Sequence, residues 1–428
     1  MNPVFAIIDL LLTIFGLAPG FGFAGGGGSS SGGSGGGYSG GSSYSSSSSS
    51  SSSGDSDPLA TFIMLFIFIA IAIAVSYYEG KGKIKKKLAM NNSTPEEKFI
   101  HTEAERIFRA YQDDWSAMNP ASIAAYTTPD YHEHASLMLE LLGNLHRVNK
   151  VSNLKVSYVC LLDHVDSGTP LPVNLRVEFG FSGLDEVIDT RTNKTLYRNN
   201  ATGVTETWNF IYDGKALKLS GISQPTESAP HLIRSLASFA AEHHLYYSPD
   251  WGRYALPARG LIFGGATMSQ SDINNHVIGK WPLKKKSVSD PAAGLLVQLY
   301  SYAVTPGVPS TYYLVGQINV PKDYLGVIVR SKKQKLGLKP DKSYDKFELE
   351  WPDFNKRYDV YAASRDALPA FELLNPKFME YLYDKTLDYN LEVVDNVIYI
   401  FAPVREVSEA DYAELLDILE CAYHELKM

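Results

Sequence analysis

The chain has 428 residues, of which 45% are hydrophobic and 20% are charged, and its net charge is −8 at neutral pH. This length is enough for two or three domains, each with a buried core. The two cysteines, Cys160 and Cys421, exclude a disulfide scaffold and a zinc site built from several cysteines. Acidic residues outnumber basic ones after Lys87, which argues against nucleic acid as a partner, because basic side chains supply most of that affinity.

The first 24 residues are apolar as far as Ala18 and end in small residues. This pattern resembles a secretory signal peptide, although it has no basic n-region and Asp9 interrupts the apolar run. A signal peptide and an uncleaved first membrane span are therefore both open for residues 1–24. Residues 25–57 consist mostly of Gly and Ser and predict a disordered linker, because they cannot bury enough apolar surface to offset chain entropy.

A run of twenty uncharged residues, Leu59 to Tyr78, predicts a transmembrane helix within residues 58–78. At about 1.5 Å per residue it is long enough to cross the roughly 30 Å hydrocarbon layer. Five lysines follow the span directly, in the basic juxtamembrane segment 79–93: Lys81, Lys83, Lys85, Lys86 and Lys87. By the positive-inside rule the lysine side is cytoplasmic, and we expect these lysines to contact anionic lipid headgroups.

Residues 94–226 predict three helices followed by an antiparallel sheet. A capping box at Thr94–Glu97, with proline at the first helical position, marks the start of the first helix. Apolar residues then recur every three to four positions as far as Trp115, as on one face of an amphipathic helix. Two more helices are predicted to begin at Pro120 and Pro129.

After Asn149 apolar and polar residues alternate, which is the two-residue period of strands. The predicted strands are Val151–Leu162, Val173–Ser182, a pair around Asp185–Tyr197, Val204–Tyr212 and Lys215–Ser223. Asp213 and Gly214 predict a tight hairpin turn. This order of elements predicts an α+β domain whose three helices pack on one face of a curved antiparallel sheet.

The first domain carries the pattern E-x-x-F-x-x-Y-x-x-D-W from Glu105 to Trp115, and Trp208 lies in an E-x-W-x-F strand. With the order of elements and the Leu154–Val156 start of the sheet, this resembles the C-terminal domain of the mitochondrial translocase of the inner membrane subunit 44, within the nuclear transport factor 2-like superfamily. The resemblance covers about residues 94–224, and the preceding segments are similar to those of bacterial relatives. It implies a cone-like α+β fold with an apolar cavity and a role in protein assembly or translocation at the membrane. The import-motor-binding segment of the mitochondrial protein has no counterpart here, so that role is not implied.

The same superfamily includes isomerases and dehydratases in which an acid or a His–Asp pair projects into the cone. The candidate cavity residues are Tyr126, Tyr131, His132, Asp185 and Trp208. Simpler interpretations exist, because Tyr131 belongs to an apolar helix face, Trp208 alternates inward as core, and His132 fits a solvated helix face. His132, Glu133 and His134 form H-E-H, not the H-E-x-x-H zinc motif, since helix positions two apart point to different faces. We therefore predict no catalytic residue, metal site or cofactor.

Residues 227–250 predict a connecting helix, mainly over Ser228–Tyr246, and residues 251–428 predict a second α+β domain. Its predicted strands are Gly260–Ala266, Leu295–Thr305, Tyr312–Val320, Leu325–Ser331, Phe347–Trp351, Tyr358–Ala362 and Leu391–Phe401. Within the last of these, Asp395 and Asn396 predict a hairpin turn. Helices are predicted at Asp366–Leu374, Pro376–Asp384 and Ser408–Leu426. The segment Phe354–Met379 is similar to a C-terminal module of uncharacterised bacterial membrane proteins, which implies membrane association but no activity.

We therefore expect a membrane-anchored binding or adaptor protein at the cytoplasmic face of a bacterial plasma membrane, single-pass after processing, acting in membrane protein assembly or translocation. Its expected partners are the lipid bilayer with its anionic headgroups and membrane or translocase proteins, and not nucleic acid. Two alternatives are open. One is a small-molecule enzyme of isomerase or dehydratase type with its site in the cone, and the other is a structural or lipid-organising envelope protein.

Overall fold

The computed structural model describes residues 94–166, 168–223, 233–252, 273–282, 294–303, 312–333, 340 and 342–426. The predicted signal-like segment, Gly/Ser tract, membrane span and lysine cluster all precede residue 94 and lie outside the described residues. Within the described ranges, no helix is both long and apolar enough to cross a membrane. The predicted α+β class is confirmed, because helices combine with two antiparallel sheets.

The first module consists of three helices followed by a four-stranded antiparallel sheet with the order β1-β2-β3-β4. The helices are α1 (Pro95–Ser116), α2 (Pro120–Ile123) and α3 (Pro129–Asn144). The strands are β1 (Arg147–Leu161), β2 (Val173–Asp189), β3 (Thr195–Tyr212) and β4 (Leu217–Ser223). Alternate residues of β2 and β3 are buried, so one face of the sheet packs against the helices.

Local signals at the helix starts agree with the predictions. The capping box of α1 forms between Thr94 and Glu97, and Asn119 and Thr128 accept backbone N–H groups at the starts of α2 and α3. The strands differ from the prediction. The separate pair of strands predicted around Asp185–Tyr197 does not exist, because β2 and β3 each continue into this region without interruption. The Asp213 turn is also longer than predicted: four residues separate β3 from β4, and the Asp213 carboxylate accepts the N–H groups of Lys215 and Ala216.

The outer edge of β1 is partly covered by side chains of α1. The Ser116 hydroxyl accepts the N–H of Val151 at 2.9 Å, and the His101 ring lies 3.3 Å from the carbonyl oxygen of Val159. An uncovered edge of 15 residues would offer unpaired backbone groups to other chains. These two contacts occupy backbone groups near both ends of the strand.

The second sheet has seven strands, and β8 is its centre. The strands are β5 (Tyr246–Gly252), β6 (Ile273–Trp281), β7 (Leu295–Ala303), β8 (Tyr312–Ser331), β9 (Tyr344–Phe347), β10 (Tyr358–Ala363) and β11 (Asn390–Val404). On one side β8 pairs first with β7 and then with β10, and on the other side it pairs with β11 along most of its length. All of these pairings are antiparallel. The two strands predicted around residues 312–320 and 325–331 are therefore one long strand.

Helices cover one face of this sheet. They are α4 (Arg234–Glu242), α5 (Pro352–Arg357), a 3₁₀ turn (Ser364–Asp366), α6 (Ala367–Leu373), α7 (Pro376–Tyr383) and α8 (Glu409–Glu425). The predictions of α6, α7 and α8 are confirmed, as is the cap of α8 by Ser408 and Asp411. The predicted connecting helix is shorter on its C-terminal side, because β5 begins at Tyr246 and joins the second sheet. The predicted strand over residues 260–266 lies outside the described residues.

The predicted hairpin turn at Asp395 and Asn396 is wrong. Strand β11 continues through both residues and stays paired with β8, with a register irregularity on either side of Asp395. Asp395 has a φ of 53°, in the left-handed region that aspartate tolerates better than most residues. A turn-like residue pair therefore produces a β-bulge here, because the neighbouring strand supplies hydrogen bonds on both sides of it.

The face of the second sheet opposite its helices packs on the first module. Side chains from β7, β8 and β11 belong to the same buried cluster as the core of the first module: Leu296, Tyr300, Val315, Val397, Tyr399 and Phe401. At the margin, the amide of Asn396 donates to the carbonyl of Asn144 at 2.8 Å, and Lys280 pairs with Glu140. The first module and the second sheet therefore share one continuous core.

The packing at Gly316, where β8 meets α8, generates a stability prediction. A Cβ atom there would lie 2.9 Å from Leu419 Cδ1 and 3.3 Å from Leu299 Cδ2. We expect Gly316→Ala to destabilise the protein by about 1–3 kcal/mol through overpacking, measured by thermal unfolding of the full chain in detergent. The matched control is Gly143→Ala in α3, where the new Cβ would be 3.8 Å from Met118 Cε. The control should be neutral or stabilising by up to about 1 kcal/mol, and equal destabilisation by both variants would contradict the packing argument.

Candidate functional site

Aromatic rings occupy the space between α1 and the first sheet, where the resemblance predicts an apolar cavity. Phe108 on α1 stacks on Phe179 at a centroid distance of 4.5 Å and lies 4.8 Å from Trp208. Tyr111 meets Trp208 edge-on at 5.5 Å, and all four residues are fully buried. These rings fill the centre of the first module with its own side chains.

Two of the predicted cavity residues, Tyr131 and Trp208, lie in this aromatic cluster and take part in hydrogen bonds there. The hydroxyls of Tyr131 and Tyr111 are 3.2 Å apart and share a hydrogen bond. The indole N–H of Trp208 donates to the Glu206 carboxylate at 2.9 Å. Burial raises the pKa of Tyr111 well above its usual value, and the nearby Glu206 carboxylate raises it further. Tyr111 therefore stays protonated and serves as a hydrogen-bonding core residue.

A third predicted residue, Asp185, is buried on β2 and is joined to the same helix through one intermediate. The indole N–H of Trp115 donates to the side-chain oxygen of Asn149 at 2.9 Å, and the Asn149 amide donates to Asp185. Trp115 and Tyr111 stack at 5.9 Å, so this chain of hydrogen bonds is continuous with the aromatic cluster. This series of hydrogen bonds fixes the positions of β1 and β2 relative to α1.

The remaining two predicted residues lie apart from the cluster. The hydroxyl of Tyr126 donates to Asp114 at 2.7 Å. The His132 ring lies 3.0 Å from the carbonyl oxygen of Pro120 and 3.3 Å from the Ser136 hydroxyl. Tyr126 and His132 thus hold the helical layer together, and the structure does not bring the five candidate residues into one site.

Several buried polar residues of the first module were not among the predicted site residues, and Glu206 and Gln112 are two of them. Glu206 is fully buried, and it could have been found from the E-x-W-x-F pattern, because residues two apart on a strand share a face. Gln112 is 1% exposed, and neither its amide oxygen nor its nitrogen has a hydrogen-bond partner within the described part of the chain. Its position beside the apolar face of α1 gives no sequence signal that distinguishes it from a surface glutamine.

A second polar cluster lies between α3 and the second sheet, and sequence reasoning missed it. His134 stacks on Tyr246 of β5 with a centroid distance of 4.8 Å, and burial lowers its pKa to about 4. His276 on β6 lies 3.0 Å from the side-chain oxygen of Gln298, and burial lowers its pKa to about 3. The nearby His134 contributes to this lowering. Both imidazoles are therefore neutral at pH 7.

The same interface continues at the start of β1. Arg147 is 3% exposed, and burial lowers the pKa of its guanidinium, while the neighbouring Asp189 and Asp395 carboxylates act in the opposite direction. Arg191 lies 3.6 Å from Asp189 and 3.7 Å from Asp395, so two arginines face two carboxylates. These residues, with Tyr399, line a small pocket of about 20 Å³, which is room for one water molecule.

The arrangement of these groups favours structural roles over acid–base chemistry. The carboxylates and hydroxyls of the first module face each other or indole and amide donors inside a packed aromatic core. Among the described residues, no group of three or more His, Cys, Asp or Glu side chains could hold a metal ion.

Comparisons with known proteins give little functional information. Residues 313–409, from β8 to the start of α8, match a family described as "Protein of unknown function (DUF3137)". This match covers less than a quarter of the chain. No protein of curated function matches the chain significantly.

Among solved structures, the crystal structure of the mycobacterial trehalose monomycolate transport factor A, TtfA, is similar at 15% identity and a TM-score of 0.30. That alignment covers 45% of this chain and 93% of the TtfA chain.

Truncation of Trp208 tests whether the centre of the first module is packed. We expect Trp208→Phe to destabilise the protein by about 2–4 kcal/mol, because it removes buried volume and the indole donor to Glu206. Tyr131→Phe removes a single hydroxyl and should cost about 0.5–1.5 kcal/mol. Denaturant unfolding of both variants measures the difference. A Trp208→Phe cost below that of Tyr131→Phe would indicate an open cavity around the indole.

The buried histidines predict a pH dependence of stability. An unfolded histidine has a pKa of about 6.5, and the folded values for His134 and His276 are about 4 and about 3. Between the folded and unfolded pKa values, the unfolded state therefore binds more protons than the folded state. The stability contributed by the neutral histidines is fully present above about pH 6.5 and declines as the pH falls toward 4. We expect His134→Phe to remove on the order of 2 kcal/mol of this decline, measured by denaturant unfolding at pH 7 and pH 4.5. An unchanged decline in the variant would contradict this origin.

Proposed function

We propose that this protein is a membrane-anchored adaptor that binds other proteins at the cytoplasmic face of a bacterial plasma membrane, in membrane protein assembly or translocation. The observation that carries this proposal is the aromatic filling of the first module. A core packed with Phe108, Phe179 and Trp208 leaves binding to the outer surfaces. The anchor is the span predicted at residues 58–78, and the cone-like form of the first module is part of the same proposal.

An apolar patch on α6 is the surface best suited to bind a protein. Leu368 and Phe371 lie three residues apart on this helix and are 68% and 48% exposed. The Phe371 ring contacts Phe347 of β9 at 5.5 Å. The backbone N–H of Leu325, another exposed leucine, donates to Asp366 at the start of the helix. Aromatic and leucine side chains held on a fixed helix supply the type of anchor that dominates protein interfaces.

The enzyme alternative receives no support from a specific contact. Tyr131, Asp185 and Trp208 have hydrogen-bond partners within the core, and Tyr126 and His132 bind elsewhere in the helical layer. The alternative of a structural or lipid-organising envelope protein predicts that the α6 patch contacts only lipid or no partner. The experiment below therefore separates it from the adaptor proposal.

Photocrosslinking from α6 tests the adaptor proposal. A photoreactive residue replaces Leu368 in the full chain, crosslinking is performed in intact membranes, and the adducts are identified by mass spectrometry. We expect discrete membrane or translocase proteins. The matched control carries the same residue at Lys377, which is exposed on α7 but is not apolar, and should give a different or much weaker set. Adducts with lipid alone would favour the structural alternative, and a recurrent small-molecule adduct would favour an enzyme or carrier.

A further inference from the structure

Three large apolar side chains are exposed at one end of the first module. Phe99, on the first turns of α1, is 41% exposed, Leu162 is 43% exposed and Leu171 is 50% exposed. They are half of the large hydrophobic residues that are exposed in the described part of the chain. Phe99 is far in sequence from the two leucines, which lie in the connection between β1 and β2, so only the fold brings it to the same end.

Contacts between three chain segments define this end. The Thr94 hydroxyl donates to the carbonyl of Val165 at 3.2 Å, which joins the start of α1 to the connection between β1 and β2. The Phe99 ring lies 5.9 Å from Tyr212, the last residue of β3. The side chain of Leu171 lies over Gly214 in the β3–β4 turn, where an added Cβ would be 2.7 Å from Leu171 Cδ1. We call this the α1-start end.

The length of chain before α1 limits where the α1-start end can be. The predicted span ends at Tyr78 and α1 begins at Pro95, so 16 residues connect them. Even fully extended, a segment of that length spans at most roughly 55 Å. If the span is the anchor, the α1-start end is the part of the described structure whose distance from the bilayer is most restricted.

Charge alone does not favour a membrane contact at this end. The positive charges of Lys98 and Lys215 are balanced by the negative charges of Asp166 and Asp213. The two carboxylates accept backbone N–H groups in their own loops. Arg176 is held by Asp163 through two side-chain hydrogen bonds of 2.7 and 3.2 Å. Any attraction to the bilayer must therefore come from the apolar side chains.

We propose that the α1-start end docks on the surface of the bilayer that anchors the chain, with Phe99, Leu162 and Leu171 entering the interfacial layer. This inference rests on the proposed membrane anchor. Apolar side chains at such a surface bind through the area that they remove from water, and a tether makes weak contacts effective by raising the local concentration. Docking fixes which side of the first module faces the cytoplasm.

Site-specific fluorescence of the full chain in nanodiscs tests the proposal. An environment-sensitive label is placed on Leu162→Cys or Leu171→Cys after Cys160 and Cys421 are replaced by Ser. We expect the label to emit at shorter wavelength than the same label at the control position and to be quenched by nitroxide-bearing lipids. The matched control is Leu368→Cys, an exposed leucine on α6, which should show neither effect. Because the contact is apolar, the shift should persist in phosphatidylcholine alone and at high salt, and Phe99→Asp should reduce it at Leu171→Cys.

The outcomes separate docking from anchoring. If the protein resists carbonate extraction but the label shows no emission shift at Leu162→Cys or Leu171→Cys, the docking proposal is overturned and the anchor proposal stands. Chain that carbonate releases from the membrane would overturn both proposals. Equal shifts at Leu171→Cys and Leu368→Cys would overturn the assigned orientation. A shift that appears only with anionic phosphatidylglycerol would overturn the apolar origin of the contact.

Discussion

The register of β8 is the constraint on which the second half of the structure depends. Leu314, Gly316 and Ile318 face the helices, while Val315 and Gln317 face the first module. A shift of one residue would exchange these two sets and place Gln317 among the leucines of α8. Because β8 also pairs with β7, β10 and β11, the same register determines the positions of all three neighbours.

The layer between the first module and the second sheet combines apolar packing with buried polar groups. Gln298 bonds to His276, and the Tyr300 hydroxyl donates to Gln317 at 2.9 Å. Buried polar groups add little net stability, but a misaligned pairing would leave several of them without partners. We infer that apolar area holds the two parts together and that these hydrogen bonds select their alignment. The neutral imidazole of His276 is part of that selection, because this residue is fully buried and a charged ring there would have no room for hydration.

Sequence alone was sufficient for features that depend on neighbouring residues. The capping boxes of α1 and α8 and the helices α6 and α7 follow from local hydrogen bonding and periodicity. Features decided by a distant partner were not predictable. Asp395 and Asn396 form a turn pair in isolation, and only pairing with β8 turns them into a bulge. Likewise Asp185 and Trp208 were predicted as candidate cavity residues, and only the distant partner Asn149 and the strand neighbour Glu206 show which hydrogen bonds they form in the core.

A shared core has a consequence for how a membrane anchor would act on the second half of the chain. Tyr300 and Phe401 of the second sheet belong to the same buried cluster as Phe108 of the first module. Separating the two parts would expose this apolar surface to water, which is costly. The α6 patch therefore cannot move independently of α1. An orientation imposed at the start of α1 is transmitted to Leu368 and Phe371, so the restriction of the first module on a bilayer would also restrict the direction from which a partner approaches the patch.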